Sequence, residues 1–400
     1  MSSLLAITSK FPLIERRTDL REPGRYDLEE HLKAALLEAV AHKVSDVYLQ
    51  PGEPILVNAY GMLYAITRKR LDYAELEGIA TWVSGQKDAV AQLAQRKPID
   101  ASYEVFDPKE VDPLGRQLRH RFRVNVTAHD FRGLMGIQVV MRYIISEPPP
   151  LSMLQLEPEI IENITPRDGI VYVTGATGSG KTTTFAGLMR YIAENDTPIK
   201  GNIVTGEAPI EFKFDTLPRT HSIFIQSEIG RHFETFADFV RADMRRHPAL
   251  IMVGESRDQE TIEAAIEASN TGHPVWTTAH AKSVAGTFRR LVSRIDKDQQ
   301  GAVLFDIITT VQMVVSQTLV PKIGGGVYPL REYLVVTDAL RNQFYDCDDP
   351  NRISAFVQSA VNKHGRTMLS VAKEAWQKGI IGEETYRLIS RNSEASGGAL

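Results

Sequence analysis

A single cysteine, Cys347, occurs in 400 residues, so no internal disulfide can staple this chain. That scarcity points to a reducing compartment. With no second thiol and no adjacent histidine, Cys347 reads as structural or incidental. No apolar run reaches the roughly 20 residues needed to cross a bilayer, so direct membrane insertion is not expected. The opening residues to Ile14 lack a charged leader and a long apolar stretch, which argues against a signal peptide. Nor is there an excess of basic charge. A formal net charge of −4 argues against a chain that coats nucleic acid or membrane indiscriminately, while leaving room for a local basic patch. No internal repeat is found.

What is present is a soluble, globular composition in a chain too long for one ordinary core, so two or three domains are expected. Residues 1–25 read as a loose tail containing Pro23 and Gly24. Leu28, Leu32, Ala35, Leu36, Ala39 and Val40 repeat at helical spacing and predict an amphipathic helix ending near His42. Short strands are expected at 46–49, 55–58 and 62–66, a helix over 71–93, and extended chain at 101–106. From Leu118 the residues alternate. Leu118, His120, Phe122, Val124 and Val126 face one way; Arg119, Arg121, Arg123, Asn125 and Thr127 form a basic outer face. A further strand is expected at 136–143, giving a small α+β domain over 26–144. Pro148, Pro149 and Pro150 break regular structure and place a linker at 145–152. Alternating strands and helices then predict a mainly parallel sheet over 153–337. A helix is expected to open at Thr235 and to stop at His247 and Pro248. A helical extension covers 338–400, ending in a frayed tail of eight residues.

Residues 175–182 read Gly-Ala-Thr-Gly-Ser-Gly-Lys-Thr, between the apolar run 170–173 and a helix expected to reach about Glu194. Gly175, Gly178 and Gly180 free the backbone to turn its N–H groups, with those of Ala176, Thr177, Ser179 and Thr183, onto phosphate oxygens. Lys181 supplies a point charge to the outer phosphates, and the Thr182 hydroxyl suits Mg²⁺. This octapeptide predicts nucleoside triphosphate binding.

Hydrolysis further needs a positioned water, a metal and cations for the transferring phosphoryl group. Leu250-Ile251-Met252-Val253 reads as a buried strand, and Glu255 just beyond it would face the crevice where α/β sheets take ligands. Glu255 either orients the attacking water and a metal-bound water or simply leads into a helix capped by Ser256 or Asp258. A second strand ends in Glu207, with Glu211 four residues on; either acid suits the Mg²⁺ water shell or is merely solvated. A third, 273–280, is bracketed by His273 and His280. His280 either senses the outermost phosphate through a hydrogen bond or, like most histidines, does nothing of the kind, and the spacing makes a poor zinc site.

These four ordered segments resemble the PilT superfamily of secretion and pilus ATPases, which carry a Walker A loop, an acidic box, a Walker B segment and a histidine box in that order. Ser45-Asp46-Val47-Tyr48-Leu49 and residues 121–126 resemble that family's first domain. Residues 227–229, 315–321 and 330–335 look most like the DotB/TraJ branch of type IVB secretion and conjugative transfer. The resemblance implies a RecA-like α/β ATPase core with a smaller PAS-like α+β N-terminal domain. It implies a homohexamer that hydrolyses ATP with Mg²⁺ held by Thr182, Glu207 and Glu255, and Lys181 and His280 at the phosphates. It further implies a cytoplasmic location, peripheral to the inner membrane through partner proteins of a secretion or conjugation machine. The family also suggests that first-domain arginines reach the triphosphate, some from a neighbouring subunit, and Arg121, Arg123, Arg132 and Arg142 match those segments; the alternative for Arg119, Arg121 and Arg123 is a merely solvated strand face. Ala208 stands where many relatives carry aspartate, which shifts metal duties onto Glu207. Competing readings are a RecA-like nucleic-acid motor, a type IV pilus retraction motor and a nucleotide-gated docking module. The acidic net charge and the lack of a basic groove interleaved with aromatics argue against stable nucleic-acid binding.

Overall fold

The structure, a computed structural model, describes residues 11–13, 22–59, 61–112, 114–144, 147–346 and 352–397. Cys347, Ser146 at the head of the proline run and most of the expected N-terminal tail lie outside these residues. The chain divides into two compact units, Met1–Ser146 and Glu147–Leu400.

The first unit is a six-stranded antiparallel sheet in the order β3-β2-β1-β6-β5-β4. Its strands are β1 (Asp46–Leu49), β2 (Pro54–Ala59), β3 (Met62–Arg70), β4 (Ile99–Val111), β5 (Gln117–Phe131) and β6 (Leu134–Ile144). Helices Glu29–Ala41 and Tyr73–Ser84 lend Leu32, Leu36, Leu76 and Ile79 to a core shared with Phe122, Val124 and Val139. The helix expected over 71–93 is two helices. Gly85 turns into the left-handed region at φ 68° and bonds back to the Thr81 carbonyl, ending the first; the second is Ala89–Ala94. The basic face expected on β5 is also interrupted. Arg121 is fully buried, its Nε 3.1 Å from Oε1 of Glu104, the residue directly opposite on β4. A carboxylate across the ladder is what lets a guanidinium leave water.

The second unit holds a seven-stranded sheet, β13-β12-β7-β11-β10-β8-β9. Its strands are β7 (Gly169–Thr174), β8 (Gly201–Glu207), β9 (Ser222–Glu228), β10 (Pro248–Val253), β11 (Pro274–Ala279), β12 (Val311–Pro321) and β13 (Val327–Val335). All neighbours run parallel except the β12–β13 hairpin. Every residue of β7 and β11 is buried, as expected of central parallel strands covered by helices on both faces. Trp276 stacks on Phe185 at 5.2 Å and donates its indole N–H to the Ile164 carbonyl, locking the Lys181–Glu194 helix to one face of the sheet. On the other face Leu340, Phe344, Ile353, Val357 and Val361 join the same apolar cluster as Ile170 and Val275. The last eight residues were expected to fray, but the final helix, Glu383–Gly397, carries most of them. Among the described residues no helix is long and apolar enough to cross a membrane.

Candidate functional site

Three parallel strands deliver the chemistry to one edge of this sheet. β7 runs into the 175–182 loop, β10 into Gly254-Glu255, and β11 into His280. Because β11 lies between β7 and β10, their C-terminal ends emerge side by side.

The loop winds through left-handed glycines at Gly178 (φ 78°) and Gly180 (φ 83°). A side chain at Gly175 would collide with the Gln317 carbonyl oxygen and the Ser179 side chain. Glycine is therefore required there by crowding as much as by conformation. The following helix, Lys181–Glu194, starts at Gly180 with no side-chain cap. Helices Phe236–Asp243, Gln259–Asn270 and Val284–Val292 are each capped by Thr235, Asp258 and Ser283. An uncapped helix start leaves amide donors and the positive end of the dipole for an anion. Ala176, Thr177 and Gly178 form the exposed crest; Ser179 is buried, and Thr182 and Thr183 open the helix partly exposed and exposed. Lys181 folds back into the loop, donating from Nζ to the carbonyls of Gly175 and Ala176, both at 3.0 Å. Desolvation lowers its pKa, and the carboxylates of Glu255 and Glu211 oppose that shift. The lysine, Glu255 and Glu211 therefore share one electrostatic neighbourhood.

Glu255 does not cap the next helix. Asp258 does, accepting the Thr261 amide at 2.9 Å, while Ser256 is bonded to Thr277. The Glu255 carboxylate instead faces His280, Oε1 to Nε2 at 3.4 Å. Backbone bonds fix both: Ser256 N to Thr278 O at 2.8 Å, and Gly175 N to Ala279 O at 3.3 Å. His273, at the opposite end of β11, bonds locally to Thr271 and the Ala268 carbonyl and takes no part.

Glu207 ends β8, which is stitched to β10 by Gly254 N donating to Gly206 O at 2.7 Å. Its carboxylate is buried, not solvated, and accepts from Thr205 Oγ1 at 2.7 Å and Gln226 Nε2 at 3.0 Å. In the first unit Arg123 and Arg142 lie directly opposite on β5 and β6, and Arg142 Nε bonds Asp46 Oδ1 at 2.8 Å. Arg132 sits in the β5–β6 turn over the Phe131 ring. That turn is nine positions beyond Arg123 (132 − 123), about 30 Å along a strand. The three arginines are therefore not one cluster.

One buried pair was not singled out from the sequence. Gln317 on β12 donates Nε2 to the Ser179 carbonyl at 2.6 Å, and Arg331 on β13 donates to Gln317 Oε1 at 2.8 Å. Both lie within segments already noted for their resemblance, 315–321 and 330–335, but only strand register brings them to the loop.

An α/β sheet with this loop at its edge defines a RecA-like ATPase core, here joined to a smaller N-terminal domain. Residues 22–327 match the Type II/IV secretion system protein family, and the chain belongs to it. It is similar to the type IV pilus retraction ATPase PilT of Pseudomonas aeruginosa, 31% identical over 345 residues, covering 86% of this chain and 93% of that one. The ATPase DotB of Legionella pneumophila matches at 39% identity and a TM-score of 0.86, covering 96% of this chain and 99% of that one. The pilus retraction motor PilT solved with bound ADP matches at 30% identity and a TM-score of 0.72, covering 89% and 95%.

Proposed function

We propose that this chain is a Mg²⁺-dependent ATPase that works as a homohexamer to power a type IVB secretion or conjugative transfer machine. The observation that carries this reading is the meeting, at adjacent strand ends, of an uncapped glycine loop filled by Lys181 with the Glu255–His280 pair. A pure nucleotide-gated docking module has no use for a carboxylate released from capping duty beside the phosphate loop. The secretion branch is favoured over pilus retraction by the likeness to DotB, at higher identity and TM-score than to PilT.

In this reading the amides of residues 175–183 cradle the phosphates, and Lys181 leaves its carbonyl partners for the outer phosphate oxygens. Glu255 orients and deprotonates the attacking water, with His280 fixing its carboxylate and reporting on the outermost phosphate. The donor set for Mg²⁺ is the Thr182 hydroxyl with the carboxylates of Glu207 and Glu255. All are hard oxygen donors, and so few suit an ion that keeps several waters and takes the rest of its shell from phosphates. The metal would draw charge from those phosphates. Arginines of the PAS-like first domain, Arg123, Arg132 and Arg142, complete the site, some from a neighbouring subunit, and hydrolysis moves the two domains. The protein acts in the cytoplasm, held at the inner membrane by partner proteins of the machine, without stable nucleic-acid binding. Phosphate release from ATP by the purified ring, requiring Mg²⁺ and abolished in Lys181→Ala, tests this; unchanged turnover in that variant removes the loop from the reaction.

A further inference from the structure

The loop that this reading assigns to nucleotide is clamped from behind by a buried polar chain. Gln317 presents its backbone carbonyl to Gly175 and its side-chain amide to Gly180, so both glycine turns rest on one residue. Its Nε2 donates to the Ser179 carbonyl, and its Oε1 accepts from Thr184 Oγ1 at 2.9 Å and from Arg331 Nε. Arg331 is 1% exposed and faces Gln317 directly across the β12–β13 ladder. Its other nitrogens donate to the carbonyls of Leu154 at 2.7 Å and Gln155 at 2.9 Å, and pair with Glu157 at 3.3 Å.

Those last partners belong to the stretch through which the chain enters the second unit. The same stretch lies on the helix that the loop begins. Arg190 donates to the Pro148 carbonyl at 2.8 Å, and a side chain at Gly187 would strike Leu154 and the Pro149 carbonyl. Residues 148–157 are thus bonded to both ends of the phosphate-binding element. The first bond runs directly to its helix; the other passes through Arg331 and Gln317 to its loop. A buried arginine that serves four acceptors on two segments is costly to hold in water-free surroundings unless all are kept together.

We propose that Gln317 and Arg331 are positioning residues that couple the shape of the 175–182 loop to the entry segment 148–157. Occupation of the loop is then registered in the segment by which the chain enters the second unit, and displacement of that segment is returned to the loop. The inference rests on the loop's being a nucleotide site. It adds that nucleotide is felt at residues that touch no nucleotide.

Hydrogen–deuterium exchange of the intact protein with and without a non-hydrolysable ATP analogue tests it. In the native chain the analogue is expected to slow exchange both in 175–184 and in 150–156. Gln317→Glu keeps an acceptor for Arg331 and Thr184, with the arginine to neutralise its charge, but sets an oxygen against the Ser179 carbonyl. It is expected to keep protection of the loop while nucleotide-dependent protection of 150–156 falls roughly 3- to 30-fold. Arg331→Lys supplies one compact donor group where four acceptors wait, and is expected to do the same. Loop protection without any response at 150–156 in the native chain overturns the coupling and leaves the nucleotide site standing. An undiminished response in both variants also overturns it. No protection of the loop itself sinks the nucleotide reading and this inference together.

Discussion

The imidazole of His280 stands 3.4 Å from the carboxylate of Glu255, two side chains brought together because β10 and β11 are parallel neighbours. Each stands just past the C-terminal end of its strand, and neither is spent on capping a helix: Asp258 and Ser283 do that work. The pair is held by backbone geometry and partly open to solvent, as the proposed roles in activating and orienting water require.

Glu255→Gln preserves the shape of this contact and removes the basic oxygen. Retention of ATP is expected to match the native protein, while phosphate release falls about 10²–10⁴-fold, the usual worth of a positioned general base. A variant that turns over at the native rate takes Glu255 out of the mechanism.

The arginines separate into two groups, because Arg132 is about 30 Å along the sheet from the facing pair Arg123 and Arg142. One phosphate cannot be served by both groups of one subunit. Mixed rings combining Glu255→Gln subunits with either Arg132→Ala or the Arg123→Ala/Arg142→Ala pair are expected to recover activity in one mixture only. An arginine supplied across an interface is worth about 10³–10⁵ in rate in GTPases, so recovery should be plain. Simple dilution kinetics in both mixtures would leave these arginines without a role in trans.

Glu332 gives a pH test of the fold. Burial raises its pKa, against the pull of two amides that donate to it, from Val284 and Met368. A carboxyl raised in the folded state contributes most below its ordinary unfolded value, near 4.3, and that contribution is lost as pH climbs through the raised value. Glu332→Gln removes the titration and keeps an oxygen for the Val284 amide. Relative to the native chain it should therefore gain stability from pH 4 to pH 8, on the order of 1 kcal/mol, in denaturant midpoints. A constant difference across that range would contradict the assignment.

Local signals made much of the site legible in the sequence. The loop, Glu255 and His280 are each carried by a few consecutive residues after an apolar run, and a parallel sheet sends the ends of such strands to one edge. Register is not local. Gln317 and Arg331 lie in segments noted only for their resemblance, and only the β12–β13 pairing and the placement of β12 beside β7 turn them toward the loop. Arg121 misled for the same reason: alternation assigned it to an outer face, and Glu104 seventeen positions earlier makes its burial tolerable. The division of the 71–93 helix at Gly85 was visible as a glycine, but apolar spacing on both sides concealed the break.

Glu332 also bears on where the catalytic domain ends. One carboxylate oxygen receives the first turn of the helix that follows His280, and the other receives the start of helix Met368–Gln377. Cutting the chain ahead of Met368 would strand half of a sunken acid and loosen the rod behind the histidine. The terminal helices thus buttress the helix that follows His280, and a shortened protein is expected to release phosphate more slowly than the full chain.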